Sequence, residues 1–164
     1  MNENLRSIFL GTLPLDIAAL AAVLLTLTRR GFDPDPRTQN RLTGLFLVGI
    51  ALQCFHFIEE AVAHFNQRFP QQLGLSPWST EFFVGFNLLW IFIWVLSAMG
   101  LRRNFRPAFF ATWFFIIGMT ANGIAHPLLA MAVGGYFPGL WTSPLIGVVG
   151  LMLGSSFWKF TASQ

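Results

Sequence analysis

RLTGLFLVGIALQCFHFIEEAVAHF, residues Arg41 to Phe65, decides the fold class. At about 1.5 Å of rise per residue a helix over this run crosses the roughly 30 Å of a bilayer's hydrocarbon. Its apolar residues are not confined to one stripe, as they would be on a soluble amphipathic helix, so its surroundings must be apolar on nearly all sides. His56, Glu59 and Glu60 break the pattern most sharply, three ionisable residues within five positions.

Working outward, four more runs have the same character. The five expected spans are Ile8–Thr28, Arg41–Phe65, Phe82–Leu101, Pro107–Val133 and Leu140–Phe160. The whole chain of 164 residues is 54% hydrophobic and 10% charged, well below the roughly 25% charge of soluble domains. We therefore expect an all-α integral membrane bundle of five transmembrane helices, one domain over residues 1–164, with no internal repeat. The first span is followed, not preceded, by its basic pair Arg29-Arg30 and reads as a retained helix rather than a secretory signal.

The net charge of +3 lies in connections. Arg29, Arg30, Arg37 and Arg41 fall in the first, Arg102, Arg103 and Arg106 in the third, whereas the second holds only Arg68 and the fourth no basic residue. This distribution is a topology signal and not a nucleic-acid surface. It predicts a non-cytoplasmic N-terminus and a cytoplasmic C-terminus beside Lys159. Nine arginines against one lysine point, through codon usage, to a bacterium and hence to its inner (plasma) membrane.

Other residue classes carry less. Cys54, the single cysteine, reads as a small buried hydrophobe and excludes an intrachain disulfide. Trp78, Trp141 and Trp158 stand near span ends, where indoles anchor at the interface; Trp90, Trp94 and Trp113 lie deeper and read as packing or lipid-facing residues. No phosphate-binding glycine loop or dinucleotide fingerprint occurs, so no nucleotide is expected, and no nucleophile elbow supports a serine hydrolase.

The informative residues are polar ones inside spans, which are costly in hydrocarbon unless they face the bundle. Asp16 is 13 residues from Arg29, His56 and Glu60 are 15 and 19 from Arg41, Asn87 is 15 from Arg102, and Asn122 and His126 are 16 and 20 from Arg106. These positions fall about 20–30 Å from the arginine-bearing boundary, one layer in the non-cytoplasmic half. About 100° per residue puts His56, Glu59 and Glu60 on one stripe, with His64 continuing it or standing at the interface. Asn122 and His126 share a face, and Pro127 beside them leaves the Gly123 carbonyl without its helical donor, a mark of a cavity.

Imidazole and carboxylate are the chemistry on offer. His56, Glu60 and His126 suffice for a divalent metal, Zn²⁺ or Fe²⁺, with an open coordination position; a dimetal site is less well supported because only one helix carries the His/Glu pair. The same groups could relay protons without metal, with Glu59, Glu60 and His56 as acid/base residues. A satisfied structural network that sets helix register is the third reading.

Three motifs occur in order: His56-Phe57-Ile58-Glu59-Glu60, His126, and Tyr136-Phe137-Pro138-Gly139. On them the chain resembles the HXXEE family of small membrane proteins, a likeness that runs from the second span to the start of the fifth. The resemblance implies the site residues and no substrate. A looser similarity, of site and architecture only, is to the sterol-isomerase superfamily, which moves protons on lipidic substrates with buried His and Glu. Pro138-Gly139 also fits the centre of a type II turn, and Tyr136 stands over the cavity mouth or anchors at the interface.

The expectation is an enzyme acting on a membrane lipid or other hydrophobic molecule, with His56, Glu59 and Glu60 catalytic, His56, Glu60 and His126 as metal ligands, and Asn122, Tyr136, Asn87 and Asp16 toward the substrate. The alternatives are a small transporter or proton/ion-binding protein, and a non-catalytic membrane protein with a structural cluster.

Overall fold

In a computed structural model, residues 3–162 are described. They form six helices: α1 (Glu3–Thr28), α2 (Pro36–Val62), α3 (Phe65–Gln72), α4 (Thr80–Leu101), α5 (Arg106–Ala132) and α6 (Ser143–Phe160). All but α3 are long and apolar enough to cross a bilayer, so the molecule is an all-helical bundle with five candidate spans.

Local signals set the helix starts. The Asp35 carboxylate accepts from Thr38 N–H ahead of Pro36, and Ser79 caps α4 by accepting from Phe82 N–H. The Thr38 N–H and hydroxyl, both donating to Asp35, hold its carboxyl below its ordinary range. α2 ends earlier than expected because His64 takes a left-handed conformation (φ 58°) that turns the chain into α3. His64 is therefore exposed at a corner and does not extend the stripe of His56.

Helices α2, α4, α5 and α6 close a four-membered ring, each packed on its two neighbours, and α1 lies outside against α5 and α3. Lipid tails are as apolar as side chains, so helix association here depends on packing. The largest interface, α5 on α6, rests on Gly123 facing Gly147: a Cβ on Gly123 would come 2.5 Å from the Gly147 Cα. Phe46, Phe109, Phe115 and Phe157 fill the ring interior with essentially no exposure.

At one end, arginines tie the first connection to the C-terminal helix and the third connection to the first and to α2. Arg29 donates to Trp158 O (2.7 Å) and covers its indole, Arg106 donates to Arg30 O and Arg102 to Asn40. The opposite end is closed by α3 and the 133–142 loop. There Asn66 Nδ2 donates to Trp78 O, Trp78 N–H to Asn66 O, and Arg68 to Tyr136 O (3.0 Å). Trp78 is thus buried, not interfacial as expected, whereas Trp141 and Trp158 are exposed.

Candidate metal centre

His56 and Glu60 are one turn apart on the inner face of α2, and His126 faces them from α5 across the ring. All three are buried, at 0%, 5% and 2% exposure. The imidazoles meet edge to face, with centroids 4.7 Å apart. Glu60 Oε1 lies 3.4 Å from His56 Nε2 and 3.3 Å from His126 Nε2.

The other ring nitrogens fix where the protons are. His126 Nδ1 is 2.5 Å from Pro138 O, and a carbonyl only accepts, so Nδ1 carries the hydrogen. Thr142 gives its hydroxyl proton to Glu59 Oε2 (2.6 Å) and so accepts from His56 Nδ1–H, 2.7 Å away. With both imidazoles neutral, each Nε2 turns its lone pair to the Glu60 carboxylate, and three acceptors converge with no donor among them. His56 Nε2 accordingly has no hydrogen-bond partner.

Such a set can hold a cation. Charge-assisted hydrogen bonds to a carboxylate run about 2.7–2.9 Å, shorter than the two spacings here. Donors about 2.0–2.1 Å from a tetrahedral zinc are instead about 3.3 Å apart, which both spacings match. The three ligand atoms all lie within 4.8 Å of one another. The Nδ1–H bonds to Pro138 and Thr142 are of the kind that orient metal-bound histidines.

Glu59, next in the chain, has a different environment. It accepts from the Tyr136 hydroxyl (2.9 Å), Trp141 N–H (3.1 Å), Thr142 N–H (2.9 Å) and the Thr142 hydroxyl. Two of these donors are backbone groups at the start of α6, where a carboxylate also meets the positive end of the helix dipole. Burial and the bond to Glu59 push the Tyr136 hydroxyl up to about 12. The expected acid/base residue thus faces away from the other two and does not line the cavity described below.

The Tyr-Phe-Pro-Gly segment wraps the cluster. Leu140 N–H donates to Phe137 O and Gly139 has φ +86°, as the expected Pro-Gly turn requires. Phe137 is fully buried against Phe65, its ring 6.2 Å from that of His126. A Cβ on Gly139 would stand 2.5 Å from His126 Nδ1 and 2.7 Å from His56 Cε1, so the two rings occupy the space that a side chain would need.

A cavity of about 240 Å³ adjoins the cluster, with Glu60 and His126 in its wall. Asn87 and Asn122 also line it, the Asn87 amide donating to Phe83 O (3.0 Å). Tyr136 does not line it and is 38% exposed, its hydroxyl held by Glu59. Asp16 departs most from expectation. It is exposed on α1, whose small residues Ser7, Gly11, Ala18 and Ala22 form the buried stripe. Asp16 is about 160° around the helix from Ala18, so it matches the layer in depth but not in direction.

Thr142, Pro138 and Gly139 were not among the sequence-derived site residues. Thr142 falls just before Ser143-Pro144, a helix-start signal, but the expected span began at Leu140 and hid it inside a helix.

Fold and site together define a small polytopic helical protein with a buried two-histidine, one-carboxylate cluster. The profile of the family described as "protein of unknown function with HXXEE motif" matches residues 47–153, well over half of the chain. The chain belongs to that family. No curated protein and no solved structure matches it.

Proposed function

We propose that the protein is a membrane-embedded enzyme that binds a divalent metal, zinc or iron, through His56, Glu60 and His126 and acts on a hydrophobic molecule held in the adjoining cavity. The observation that carries this reading is the convergence of two imidazole nitrogens on one carboxylate oxygen, each at the distance expected between ligands of a tetrahedral metal, beside a space large enough for a ligand. A bound metal would polarise a substrate oxygen or lower the pKa of a bound water. Glu60 and the two imidazoles fix its position. Glu59 acts here as a positioning residue that holds Thr142, and through it His56. Toward the arginine-bearing end the cavity is lined by the aromatic side chains of Trp94, Phe114 and Phe115, which supports a binding pocket over a polar passage through the membrane.

The test is metal analysis of protein purified in detergent, for the wild type and for His56→Ala, Glu60→Ala and His126→Ala. The expected result is one equivalent of metal in the wild type and its loss in every variant. A metal-free wild type that refuses added zinc and iron, with variants that lose only thermal stability, would establish a structural cluster instead.

A further inference from the structure

The cavity has a polar belt that the cluster does not account for. Gln53 lies on the same face of α2 as His56 and Glu60, one turn nearer the arginine-bearing end. It is only 7% exposed and lines the cavity without a hydrogen-bond partner among the described residues. Asn122 of α5, likewise without a side-chain partner, stands across from it. Gln53 is 17 residues from the start of α2 and Asn122 is 16 from the start of α5, so both amides stand at one level, about 25 Å from the arginine end. Both amides face an apolar slot, where a ligand oxygen or hydroxyl at that level would supply the missing hydrogen bonds.

Below the belt the walls are apolar and aromatic, with Phe86, Trp90, Trp94, Phe114 and Phe115. From His126 to Phe115 is eleven residues, about 16 Å along α5 and close to the roughly 15 Å hydrocarbon depth of one leaflet. About 240 Å³ spread between those levels makes a narrow, elongated slot, a shape that suits a single hydrocarbon chain. The slot also faces lipid. α1 and α4 both line it but are barely in contact with each other, and between them Gly118, Ala121 and Ala125 of α5 form a floor on which Ala121 is exposed. No lysine or arginine lines the slot, so its polar groups suit a neutral head.

We infer that the cavity binds a single-chain lipid with an uncharged oxygen-bearing head, such as a long-chain alcohol. It enters between α1 and α4, hydrogen-bonds through its head to Gln53 and Asn122 beneath the His/Glu centre, and lays its tail against Trp90 and Trp94. The inference rests on the proposed enzymatic reading and deepens it by naming the substrate class.

Tryptophan fluorescence in detergent tests it, because a brominated chain in the slot quenches Trp90 and Trp94. The metal-loaded protein would be titrated with a brominated long-chain alcohol, the matching brominated fatty acid and a brominated two-chain phosphatidylcholine. Saturable quenching by the alcohol is expected, weaker quenching by the acid, and none that saturates by the phospholipid. Gly118→Leu, which grows into open space on the slot floor, should abolish the saturable phase, and Gln53→Leu should weaken it about tenfold. Thermal melts would confirm that both variants are folded. Equal quenching in wild type and Gly118→Leu, tighter binding of the acid, or saturable binding of the phospholipid would each overturn the inference. Metal bound without alcohol binding leaves the centre standing and removes only this inference; alcohol binding to a protein that takes no metal does the reverse.

Discussion

Thr142 Oγ1 sits between His56 Nδ1, at 2.7 Å, and Glu59 Oε2, at 2.6 Å, so one hydroxyl from the loop that leads into α6 couples the first and fourth residues of the His-x-x-Glu-Glu motif. Its single proton goes to the carboxylate, which obliges His56 to donate from Nδ1 and present Nε2 to Glu60. The two adjacent glutamates consequently differ in role: Glu60 faces the imidazoles, and Glu59 holds the group that orients one of them.

Thr142→Val removes that hydroxyl at nearly constant volume. Metal affinity, measured by chelator competition, should fall about 10–100-fold, and Thr142→Ser should recover most of it. Unchanged affinity in the valine variant would mean that His56 is oriented by packing alone.

Tyr136 is the only tyrosine, so its ionisation can be followed by absorbance. The folded hydroxyl is raised from 10.0 to about 12. A group with a raised folded pKa contributes stability that is complete below its unfolded value, so the Tyr136–Glu59 bond should be intact up to pH 10 and lost as pH rises through about 12. Glu59→Gln should bring the midpoint back toward 10; a wild-type midpoint already at 10 would show that the bond does not form.

Gly139→Ala places a Cβ against both imidazoles at a backbone φ of +86°. Strain of this kind costs about 1–3 kcal/mol, so the melting temperature in detergent should drop, and metal should be lost with it as the rings are displaced. Gly134→Ala, at φ +68° but with open space around its Cβ, is the control that should lower stability without releasing metal.

Asp16→Leu should leave metal content unchanged and not lower thermal stability, because the carboxylate is exposed on α1 away from the cluster. Loss of metal in this variant would bring α1 into the polar layer after all.

Hydropathy made the five long helices legible, because crossing hydrocarbon demands length and apolarity that few other structures need. The missed element is α3. Phe65–Gln72 is short, and Phe65 looked like the end of α2 until the left-handed His64 separated the two. In the site, i, i+4 spacing is a local property and paired His56 with Glu60 directly. Depth counting brought His126 to the same layer but brought Asp16 there too, because it measures distance along a helix and not which way a side chain faces.

The sequence by itself determined the bundle, the two ends marked by arginines, and the residue types of the buried cluster, since each follows from local composition and a helix's fixed rise. Only the tertiary structure decided that Glu59 and Glu60 serve different partners, that Pro138, Gly139 and Thr142 complete the surroundings of the two histidines, and that Asp16 stands outside. Those facts depend on how α2, α5 and the 133–142 loop meet in space. Contacts between residues separated by 86 positions, as His56 and Thr142 are, leave no periodic trace in the chain.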